Sequence, residues 1–506
     1  MRGAGARGRR GRAGRRGQRL SVRQKQLAIV GNGMATCRLL DELMQREALS
    51  RYQVSVFAEE KGGAYNRILL SKVLGGDEPD AIVTKTPTWY AERGVRLHDG
   101  VGVRRLDTAA KLVETISGES HRYDVAVIAT GSQPQVPPLT GMTNERGELR
   151  PGVFIYRTMD DCLKMRAHAR AGDNAVVLGG GLLGLEAAKV LSDGGLHVTV
   201  IHAGRTLMNA QLDELGGEML ERQIESCGIF VRTGRTIEEV LGDGAGPGAI
   251  HGVRLDDDKT LAADMLVLAC GVRPRVEVAR ASGLPINKGI IVNDTLATEV
   301  PGVYAVGECA EHAGRTYGIV TPAWEQATVL ADVLSGANPQ TRYRGSKVYT
   351  RLKVAGIDVA SMGRIDPELE SDEVIQVVET RRGSCRKLVV RGRALVGAML
   401  VGNTGAAANL IQILDRGDPL PVDPLEVLCP RSTFGGEARD RLVCNCHKVS
   451  EARLRQAIAA GAATVDALSQ ATKAGTGCGS CRSELAQLVG SGQPPPPPVK
   501  IAAAAG

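Results

Sequence analysis

Residues 27–43 read LAIVGNGMATCRLLDEL, and this stretch predicts how the first half of the chain folds. A short apolar run leads into Gly31 and Gly33, and apolar residues at helical spacing follow. A strand, a tight glycine turn and a helix in this order are typical of a dinucleotide-binding unit. Gly31 lets the chain turn, and Gly33 lets backbone N–H groups approach a pyrophosphate at the positive end of the helix. The third position of the GxGxxG pattern is Thr36, so we expect helix and strand to pack slightly further apart.

The composition is that of a globular protein, and the two ends of the chain depart from it. The 506 residues are 43% hydrophobic and 24% charged, which allows three or four domains with ample cores. Residues 1–25 carry ten basic and no acidic side chains, and without them the formal net charge of +7 becomes −3. A basic arm could bind nucleic acid, but we expect a disordered tail and no nucleic-acid partner. Residues 490–506, which are rich in proline, are also expected to be disordered.

No part of the sequence indicates a membrane protein or a secreted one. No apolar run approaches the length that spans a bilayer, and no apolar region of a secretory signal follows the N-terminal arginines. Eleven cysteines in a chain without such a signal argue against a disulfide scaffold. We therefore expect a cytoplasmic protein with no membrane partner.

Two further strands of the first unit end in residues that could contact a bound dinucleotide. The predicted strand at 53–57 is followed by Glu59, which is positioned to accept hydrogen bonds from ribose hydroxyls. A buried-strand pattern at 123–129 ends at Thr130 and Gly131. A charge at the end of a strand is also common on a solvated surface, so the assignment of Glu59 depends on the glycine turn.

Segment 65–72 bears on the mechanism because it contains no cysteine pair. A flavin disulfide reductase needs two redox-active cysteines beside the flavin. This segment instead carries Arg67 and Lys72, which could meet a pyrophosphate and the electron-rich edge of a reduced flavin. Two cations at this spacing also fit a solvated surface.

A second dinucleotide-binding unit is predicted from AVVLGGGLLGLEAAKVL at 175–191. Its GxGxxG pattern is complete, with Gly179, Gly181 and Gly184, and it lies between an apolar strand and a helix. The next strand ends at His202, where an NAD-binding unit usually carries an acid, and Arg205 could meet a 2′-phosphate. The choice between NADH and NADPH stays open.

The chain then returns to the first unit. The apolar stretch at 264–271 is predicted to be a buried strand, and the strand at 303–306 leads to Glu308, which could bind a flavin ribityl chain. Two glycine turns with the second unit inserted into the first indicate a flavoprotein with a separate nicotinamide domain. Trp324, just downstream, is expected either to line the flavin pocket or to belong to the core.

Four cysteines near the C-terminus have the pattern of a metal site. Cys444 and Cys446 form a CxC arm, and Cys478 and Cys481 form a CxxC arm. Thiolates are the ligands that iron and zinc prefer, and nearby glycines would let backbone N–H groups turn toward cluster sulfurs. A CxC arm is less usual for zinc, and a redox cluster makes functional sense downstream of a flavin, so we expect [2Fe–2S] over zinc.

Six segments together resemble a known family: GNGMA, YNRILLSK, ATG, GGGLLGLE, CGVRP and YAVGECA. They are similar to pyridine-nucleotide-dependent flavin reductases of the ferredoxin- and rubredoxin-reductase type. The resemblance is greatest to the N-terminal half of the assimilatory nitrite reductase large subunit, or nitrate reductase electron-transfer subunit. CxC with GTGCGSC resembles the bacterioferritin-associated ferredoxin domain, a small helical [2Fe–2S] fold.

The resemblance implies the cofactors FAD, NAD(P)H and a [2Fe–2S] cluster, and it implies site residues. FAD would be held by Gly31, Gly33, Glu59, Arg67, Lys72 and Glu308, with Lys72 as the catalytic residue near the reactive flavin edge. NAD(P)H would be held by Gly179, Gly181, Gly184 and Glu186. The expected cofactor contacts also include Asn32, Met34, Ala35, Thr130, Gly131, Leu183, His202, Gly271 and Gly307. Two departures from the family pattern are Thr36 and Glu308, since many relatives carry aspartate at the latter position.

The expected fold class is α/β. It comprises two interleaved Rossmann-like domains, a small α/β interface domain that packs against the flavin domain, and a small helical [2Fe–2S] domain. The predicted boundaries are 26–145 with 264–336 for FAD, 146–263 for NAD(P)H, 337–428 for the interface domain and 440–489 for the cluster domain. In the interface domain we predict strands at 347–357 and 374–379, a hairpin within 387–401 and a helix at 403–414.

The expected function is transfer of electrons from NAD(P)H through FAD and the cluster to a partner. By resemblance, the partner is the molybdenum-containing catalytic subunit of assimilatory nitrate reductase, or else a sirohaem nitrite reductase component. The sirohaem and [4Fe–4S] region of the full nitrite reductase has no counterpart here, so we expect no nitrite reduction by this chain itself. One alternative is a reductase for diffusible ferredoxin, rubredoxin or ferritin iron. Another is a flavoprotein whose C-terminal module binds zinc and serves only for docking.

Overall fold

The computed structural model describes residues 24–242, 248–354, 356–428, 442–477, 479 and 481–490. The two tails predicted to be disordered, 1–25 and 490–506, lie outside these residues except for residues 24, 25 and 490. None of the described helices is long and apolar enough to cross a membrane.

The first glycine turn lies at the centre of a parallel sheet. This first sheet has five strands, in the spatial order Val303–Ala305, Val125–Ile128, Lys25–Val30, Tyr52–Ala58 and Arg96–Asp99. Leu27 and Ile29 of the central strand are buried, as expected for a parallel sheet that is covered on both faces. Helix Met34–Gln45 follows the glycine turn and packs against helix Val320–Ser335.

The second glycine turn lies at the centre of a second five-stranded parallel sheet. Its strands, in spatial order, are Val153–Ile155, Met265–Leu268, Asn174–Leu178, His197–His202 and Phe230–Thr233. The helices of this unit are Met159–His168, Leu182–Asp193 and Glu214–Ser226. Each of the two units therefore has the predicted strand, glycine turn and helix at its centre.

The strand Met265–Leu268 corrects one predicted boundary. We assigned 264–336 wholly to the first unit, but this strand pairs in parallel with Val153–Ile155 and Asn174–Leu178 of the second sheet. All four of its residues are buried, and a central position in either sheet would produce the same apolar pattern. The sequence therefore identifies the strand but not its pairing partners.

Two chain segments connect the units, and they pair with each other. Ser132–Pro134 leaves the first unit and forms an antiparallel pair with Val272–Pro274, which returns to it. The Thr130 hydroxyl donates a hydrogen bond to the Arg275 carbonyl at 2.7 Å, and the Arg275 N–H donates to the Gly131 carbonyl at 2.9 Å. This double crossover joins the ends of the two sheets that carry the glycine turns.

Short antiparallel segments and helices complete the two units. The three-stranded ribbons are Val103–Asp107, Leu112–Thr115 and Ser120–Arg122, and Ile237–Gly242, Ile250–Leu255 and Thr260–Ala262. The two-stranded pairs are Ala64–Tyr65 with Val83–Lys85, and Ile290–Val292 with Ala310–His312. The short α-helices are Leu70–Leu74, Pro87–Glu92 and Glu277–Ala281, and the 3₁₀ turns are Ala48–Arg51, Arg67–Leu69 and Pro79–Ile82.

The third sheet is antiparallel and follows the two units in the chain. Its five strands, in spatial order, are Tyr349–Val354, Ile357–Gly363, Ala394–Val401, Ser384–Arg391 and Asp372–Glu379. Helix Ala407–Arg416 packs on it, and the 3₁₀ turns are Thr380–Arg382 and Pro424–Val427. The single strand that we predicted at 347–357 is wrong, because the chain turns before Ile357 and starts a second strand.

The third sheet packs against the second unit, where we expected it to pack against the flavin domain. Helices Leu182–Asp193 and Glu214–Ser226 of the second unit contact its strands. The Lys387 ammonium donates to the Asp213 carboxylate at 2.8 Å, and a Cβ at Gly216 would lie 2.7 Å from the Met399 sulfur. The lack of a side chain at Gly216 thus allows the helix to approach the sheet.

A small helical unit at residues 442–490, which we call the cluster domain, ends the described chain. A hairpin of Leu442–Cys444 and Val449–Ser450 leads into helices Glu451–Ala459, Val465–Thr472 and Arg482–Gly490. Val443, Leu454, Leu468 and Leu485 form its core. The Ser450 and Thr464 side chains cap the first two helices by accepting backbone N–H groups, which explains where these helices begin.

Thr36 occupies the position of the third glycine in the first turn, and its hydroxyl makes a hydrogen bond within the turn. The side chain is fully buried, and its Oγ1 donates a hydrogen bond to the Gly31 carbonyl at 2.8 Å. At the equivalent position of the second turn, a Cβ on Gly184 would lie only 1.9 Å from the Gly179 carbonyl oxygen. The first unit therefore accommodates a side chain where the second cannot.

We expect Thr36→Val to lower the free energy of unfolding by about 1–2 kcal/mol, because valine leaves the partly buried Gly31 carbonyl without its donor. Thr36→Ser keeps the hydroxyl and should be closer to the wild type. Thermal unfolding of the FAD-loaded protein measures both variants. A Thr36→Val protein as stable as the wild type would mean that the hydrogen bond contributes nothing.

Candidate active site

The first glycine turn has the geometry that a bound pyrophosphate requires. Gly31 has a φ of +105°, and a Cβ on it would lie 2.2 Å from the Ala129 carbonyl oxygen, so no larger residue fits. Gly33 precedes helix Met34–Gln45 as its N-cap, and a Cβ there would meet no atom within 4 Å. No side chain caps this helix, so its first N–H groups are available to an anion.

The second glycine turn repeats this arrangement. Gly179 has a φ of +130°, and a Cβ on it would lie 2.2 Å from the Ala269 carbonyl oxygen. Gly181 is the N-cap of helix Leu182–Asp193, which has no side-chain cap, and the space beside it is open. Gly184 has a different role, because its lack of a side chain lets the helix pack on the strand end.

Both turns open into one cavity of about 1210 Å³. It is lined by all the predicted cofactor residues except Gly184 and the exposed Arg205: Gly31, Asn32, Gly33, Met34, Ala35, Glu59, Arg67, Lys72, Thr130, Gly131, Gly179, Gly181, Leu183, Glu186, His202, Gly271, Gly307 and Glu308. Cys446 of the cluster domain also lines it. The tertiary structure thus brings the two predicted nucleotide sites and one predicted cluster ligand to a common space.

A partly buried ion pair lies where the strand Val303–Ala305 ends. The Arg157 guanidinium donates to the Glu308 carboxylate at 2.9 Å and to the Ser132 hydroxyl at 2.7 Å. Ser132 also donates to Glu308. Burial lowers the pKa of Arg157 below its ordinary value. The carboxylate predicted to meet the ribityl chain is therefore held in one orientation.

Arg67 has hydrogen-bond partners within the protein, whereas Lys72 has none among the described residues. Arg67 donates to the Glu60 carboxylate and to the Arg157 carbonyl, both at 2.6 Å, and its guanidinium lies 5.0 Å from the centre of the Tyr65 ring. Lys72 is exposed and has no ion-pair or hydrogen-bond partner among the described residues. Lys72 is thus the cation on this segment with all of its donors available to a bound molecule.

Asn32 and Glu59, two predicted cofactor contacts of the first unit, each have a protein partner. The Asn32 side-chain oxygen accepts a hydrogen bond from the Tyr90 hydroxyl at 2.6 Å, whereas its buried Nδ2 has no partner in the described part of the chain. One Glu59 oxygen lies 2.5 Å from the Arg275 guanidinium. An amide donor without a partner at the cavity wall fits a site that is completed by a polar molecule.

On the nicotinamide side, burial changes the protonation of two side chains. It raises the pKa of the Glu186 carboxyl to about 7, and this carboxyl makes no hydrogen bond or ion pair to any described residue. The buried Tyr156 hydroxyl beside it also has no partner there. Burial lowers the pKa of His202, whose Nδ1 accepts a hydrogen bond from the Gly180 N–H at 3.2 Å. The neutral His202 ring therefore carries its proton on Nε2, which is buried and has no partner among the described residues.

Three of the four predicted cluster ligands converge. Cys444 and Cys481 are buried and Cys446 is half-buried. Hydrogen bonds with the Cys446 and Cys481 thiols, and with the backbone N–H groups of Gly475 and His447, hold the pKa of Cys444 well below its ordinary value. The fourth predicted ligand, Cys478, lies outside the described residues, and the described residues alone contain no group of three or more side chains that could hold a metal ion.

Sequence reasoning missed several residues that shape the cavity, above all Arg157, Ser132 and Tyr90. Arg157 lies ninety residues after Arg67 in the chain and bonds to it only through its backbone carbonyl. None of the three belongs to a recognisable motif. Ser132 lies on a crossover strand, Arg157 precedes helix Met159–His168, and Tyr90 acts through its hydrogen bond to Asn32. The pairing of a partly buried arginine with a predicted cofactor carboxylate is visible only in three dimensions.

The donor sets fit the predicted cofactors. Two uncapped helix ends and open glycines suit two dinucleotides, and converging thiols with backbone N–H donors suit an iron–sulfur cluster. Residues 25–328 match the family model described as pyridine nucleotide-disulphide oxidoreductase. Residues 349–418 match the rubredoxin NAD+ reductase C-terminal domain, and residues 442–491 match the BFD-like [2Fe-2S] binding domain.

The fold and the site define an NAD(P)H-dependent oxidoreductase that uses FAD and a [2Fe–2S] cluster. The chain belongs to the pyridine nucleotide-disulphide oxidoreductase family. The predicted α/β fold class and the predicted cofactors are thereby confirmed, and the zinc alternative loses its support.

The chain is similar to two curated proteins of Bacillus subtilis over 92% of its length. It is 37% identical to nitrite reductase [NAD(P)H] and 33% identical to the assimilatory nitrate reductase electron transfer subunit. It spans only 57% and 60% of the lengths of these relatives.

Two solved structures have the same fold over most of the chain. The ferredoxin reductase of Rhodopseudomonas palustris has a TM-score of 0.71 and 24% identity, and the match covers 80% of this chain and 98% of that one. The NADH:rubredoxin oxidoreductase of Clostridium acetobutylicum has a TM-score of 0.64 and 22% identity, and covers 80% and 99%.

Gly181 and Gly184 offer a matched pair of substitutions. Gly184→Ala should lower the unfolding free energy by about 1–3 kcal/mol, because its Cβ would overlap the Gly179 carbonyl oxygen. Gly181→Ala should leave thermal stability unchanged and weaken NAD(P)H binding, since its Cβ enters the space expected for the pyrophosphate. Thermal unfolding and binding titrations separate the two effects. Equal binding by Gly181→Ala and wild type would argue against this location of the pyrophosphate.

Glu186 should make stability depend on pH. The pKa of Glu186 in the folded protein, about 7, exceeds the ordinary value of 4.5. The stability that the protonated carboxyl gives the folded protein is therefore fully present below pH 4.5 and is lost as pH rises through 7. Glu186→Gln mimics the neutral form, and we expect its melting temperature relative to the wild type to be higher at pH 8 than at pH 5. The exposed Glu145→Gln serves as the control. A constant difference across this range would contradict a buried carboxyl at position 186.

Proposed function

We propose that this chain passes electrons from NAD(P)H to the molybdenum-containing catalytic subunit of an assimilatory nitrate reductase in the cytoplasm. The observation that carries the proposal is the single cavity that joins the nicotinamide turn, the flavin-side residues and Cys446. The name of the relative described as an assimilatory nitrate reductase electron transfer subunit supports the choice of partner. No disulfide occurs among the described cysteines, which fits a reducing compartment.

The residues that line the cavity would have different roles in such an electron relay. When bound, FAD would supply the chemistry of hydride acceptance from NAD(P)H and of one-electron release. The helix ends at Gly33 and Gly181 would bind the two pyrophosphates, and Arg157 would orient Glu308 toward the ribityl chain. Lys72 would place its ammonium against the electron-rich edge of the flavin, where it favours negative charge. Cys444, Cys446, Cys478 and Cys481 would hold the cluster.

The domain division remains part of this proposal, with one change. The FAD domain would comprise 26–145 and the residues from 269 to 336, and the NAD(P)H domain would comprise 146–268. The interface domain at 337–428 and the cluster domain at 440–489 keep their boundaries, and the family matches at 349–418 and 442–491 support them.

A sirohaem nitrite reductase component is the second candidate acceptor, and the 37% identity to a nitrite reductase favours it. A diffusible ferredoxin, rubredoxin or ferritin iron would also accept electrons from such a chain. Steady-state turnover with each purified acceptor, at equal concentration and with NADH and NADPH in turn, decides between them. Faster turnover with rubredoxin than with the nitrate reductase subunit would overturn the proposed partner.

Cys444→Ser should abolish electron delivery to the partner and leave the bleaching of FAD by NAD(P)H intact. The hydroxyl is a poor iron ligand, so the variant should also lose the electron paramagnetic resonance signal of the reduced cluster. Cys227→Ser, at an exposed cysteine, is the matched control and should behave as the wild type. Zinc in place of iron in the wild type, or full delivery by Cys444→Ser, would contradict the relay.

A further inference from the structure

The cluster domain is held against the rim of the cavity by three contacts from two other parts of the chain. Asn66 and Trp324 of the first unit contact the loop at 475–477, which precedes Cys478. Arg351 of the third sheet forms an ion pair with Glu484 on the last helix. These contacts lie beside the cavity wall that Cys446 lines.

Asn66 uses both ends of its side-chain amide. The side chain is buried; its Oδ1 accepts a hydrogen bond from the Ile68 N–H at 3.2 Å and so caps the 3₁₀ turn that follows. Its Nδ2 donates to the Gly477 carbonyl at 2.8 Å. Its neighbours Tyr65 and Arg67 both line the cavity. One short segment therefore forms part of the flavin-side wall and binds the backbone of the cluster loop.

Trp324 packs on the same loop. A Cβ on Gly477 would lie 2.7 Å from the Trp324 Cη2 and 3.2 Å from the Cys446 Cβ, so the indole and the ligand-bearing arm both touch this glycine. The indole ring also lies against His447, with ring centres 5.6 Å apart. The preceding residue, Ala323, lines the cavity. We predicted that Trp324 either lines the flavin pocket or belongs to the core, and neither prediction describes its position. It lies on helix Val320–Ser335 and contacts the cluster domain.

We propose that Asn66 and Trp324 are positioning residues that hold the Cys446 edge of the cluster domain at the flavin side of the cavity, where electrons cross to the cluster. This inference rests on the proposed relay from FAD to the cluster. Each NAD(P)H yields NAD(P)⁺, one proton and two electrons, and a [2Fe–2S] cluster takes one electron at a time. Two successive transfers across this interface, each followed by transfer to the external acceptor, therefore balance one NAD(P)H.

The geometry explains why these two residues act as a pair. The Asn66 amide holds the loop at the cavity rim by donating to the Gly477 carbonyl at 2.8 Å and, more weakly, to the Thr476 carbonyl at 3.5 Å. The flat indole of Trp324 packs on the same loop and limits its lateral movement. The neighbouring glycine at 477 lets both contacts be close. A transfer interface needs this kind of support from outside the redox site, since small displacements of the reacting groups slow transfer strongly.

The test is Asn66→Asp, which keeps Oδ1 as the acceptor for Ile68 and replaces the donor with an oxygen that faces the Gly477 carbonyl. Mixing with NAD(P)H in a stopped-flow instrument should bleach the flavin at the wild-type rate. Reduction of the cluster, followed by freeze-quench electron paramagnetic resonance and normalised to iron content, should slow by about tenfold. Asn338→Asp is the matched control, because exposed Asn338 makes a similar local bond to the Gln340 N–H.

Trp324 supplies a second, independent variant should Asn66→Asp fail to fold. Trp324→Ala should slow cluster reduction, and Trp324→Phe, which keeps an aromatic ring against Gly477, should restore most of the rate. Trp89→Phe, at the other tryptophan of the chain, controls for the loss of an indole. A purely structural role would lower stability without separating flavin bleaching from cluster reduction.

The outcomes distinguish this inference from the proposed function. Wild-type rates of cluster reduction in both Asn66→Asp and Trp324→Ala would overturn it. Failure of NAD(P)H to reduce the cluster in the wild type would overturn both it and the relay. Normal cluster reduction that the two variants slow, together with no transfer to a nitrate reductase subunit, would support the interface and reject only the proposed partner.

Discussion

The close approach of two glycine turns to neighbouring strand ends is the constraint on which the rest of the structure depends. At Gly31 and Gly179 the backbone lies so near a carbonyl of the adjacent strand that a Cβ would come within 2.2 Å of it. These contacts fix the direction in which each helix leaves its sheet. Both helices therefore direct their uncapped amino ends into the same cavity, where two dinucleotides must meet for hydride transfer.

The charges around the cavity are mostly paired among themselves, which leaves a few groups available to cofactors. Arg157 with Glu308, Arg67 with Glu60 and Arg275 with Glu59 are each within hydrogen-bonding distance. Paired charges at a partly buried site cost less to desolvate and hold their side chains in one orientation. Lys72 and Glu186 are exceptions among the described residues. They lie on the flavin side and the nicotinamide side of the cavity, where unpaired polar groups are most useful to a reaction.

The cluster domain shows how an added module becomes part of an existing site. It has its own small core, yet it contacts the flavin-side segment, the long helix Val320–Ser335 and the third sheet. Cys446 thus lines the cavity although it is distant in the chain from every nucleotide motif. The third sheet contributes by packing on the second unit and presenting Arg351 to the last helix.

The sequence by itself determined the two strand–glycine–helix units, the α/β class and the motif residues that line the cavity. These features are local, since a glycine turn between an apolar strand and a helix has few alternative conformations. Cysteine spacing likewise predicted four cluster ligands without reference to the fold.

Only the tertiary structure decided which sheet the strand Met265–Leu268 joins, where the third sheet packs, and which partners Arg157, Asn66 and Trp324 have. A buried strand has the same apolar pattern in either sheet. The sequence around a single arginine, asparagine or tryptophan does not predict which residues it will contact. Their roles arise from contacts between residues far apart in the chain, which depend on how the units pack.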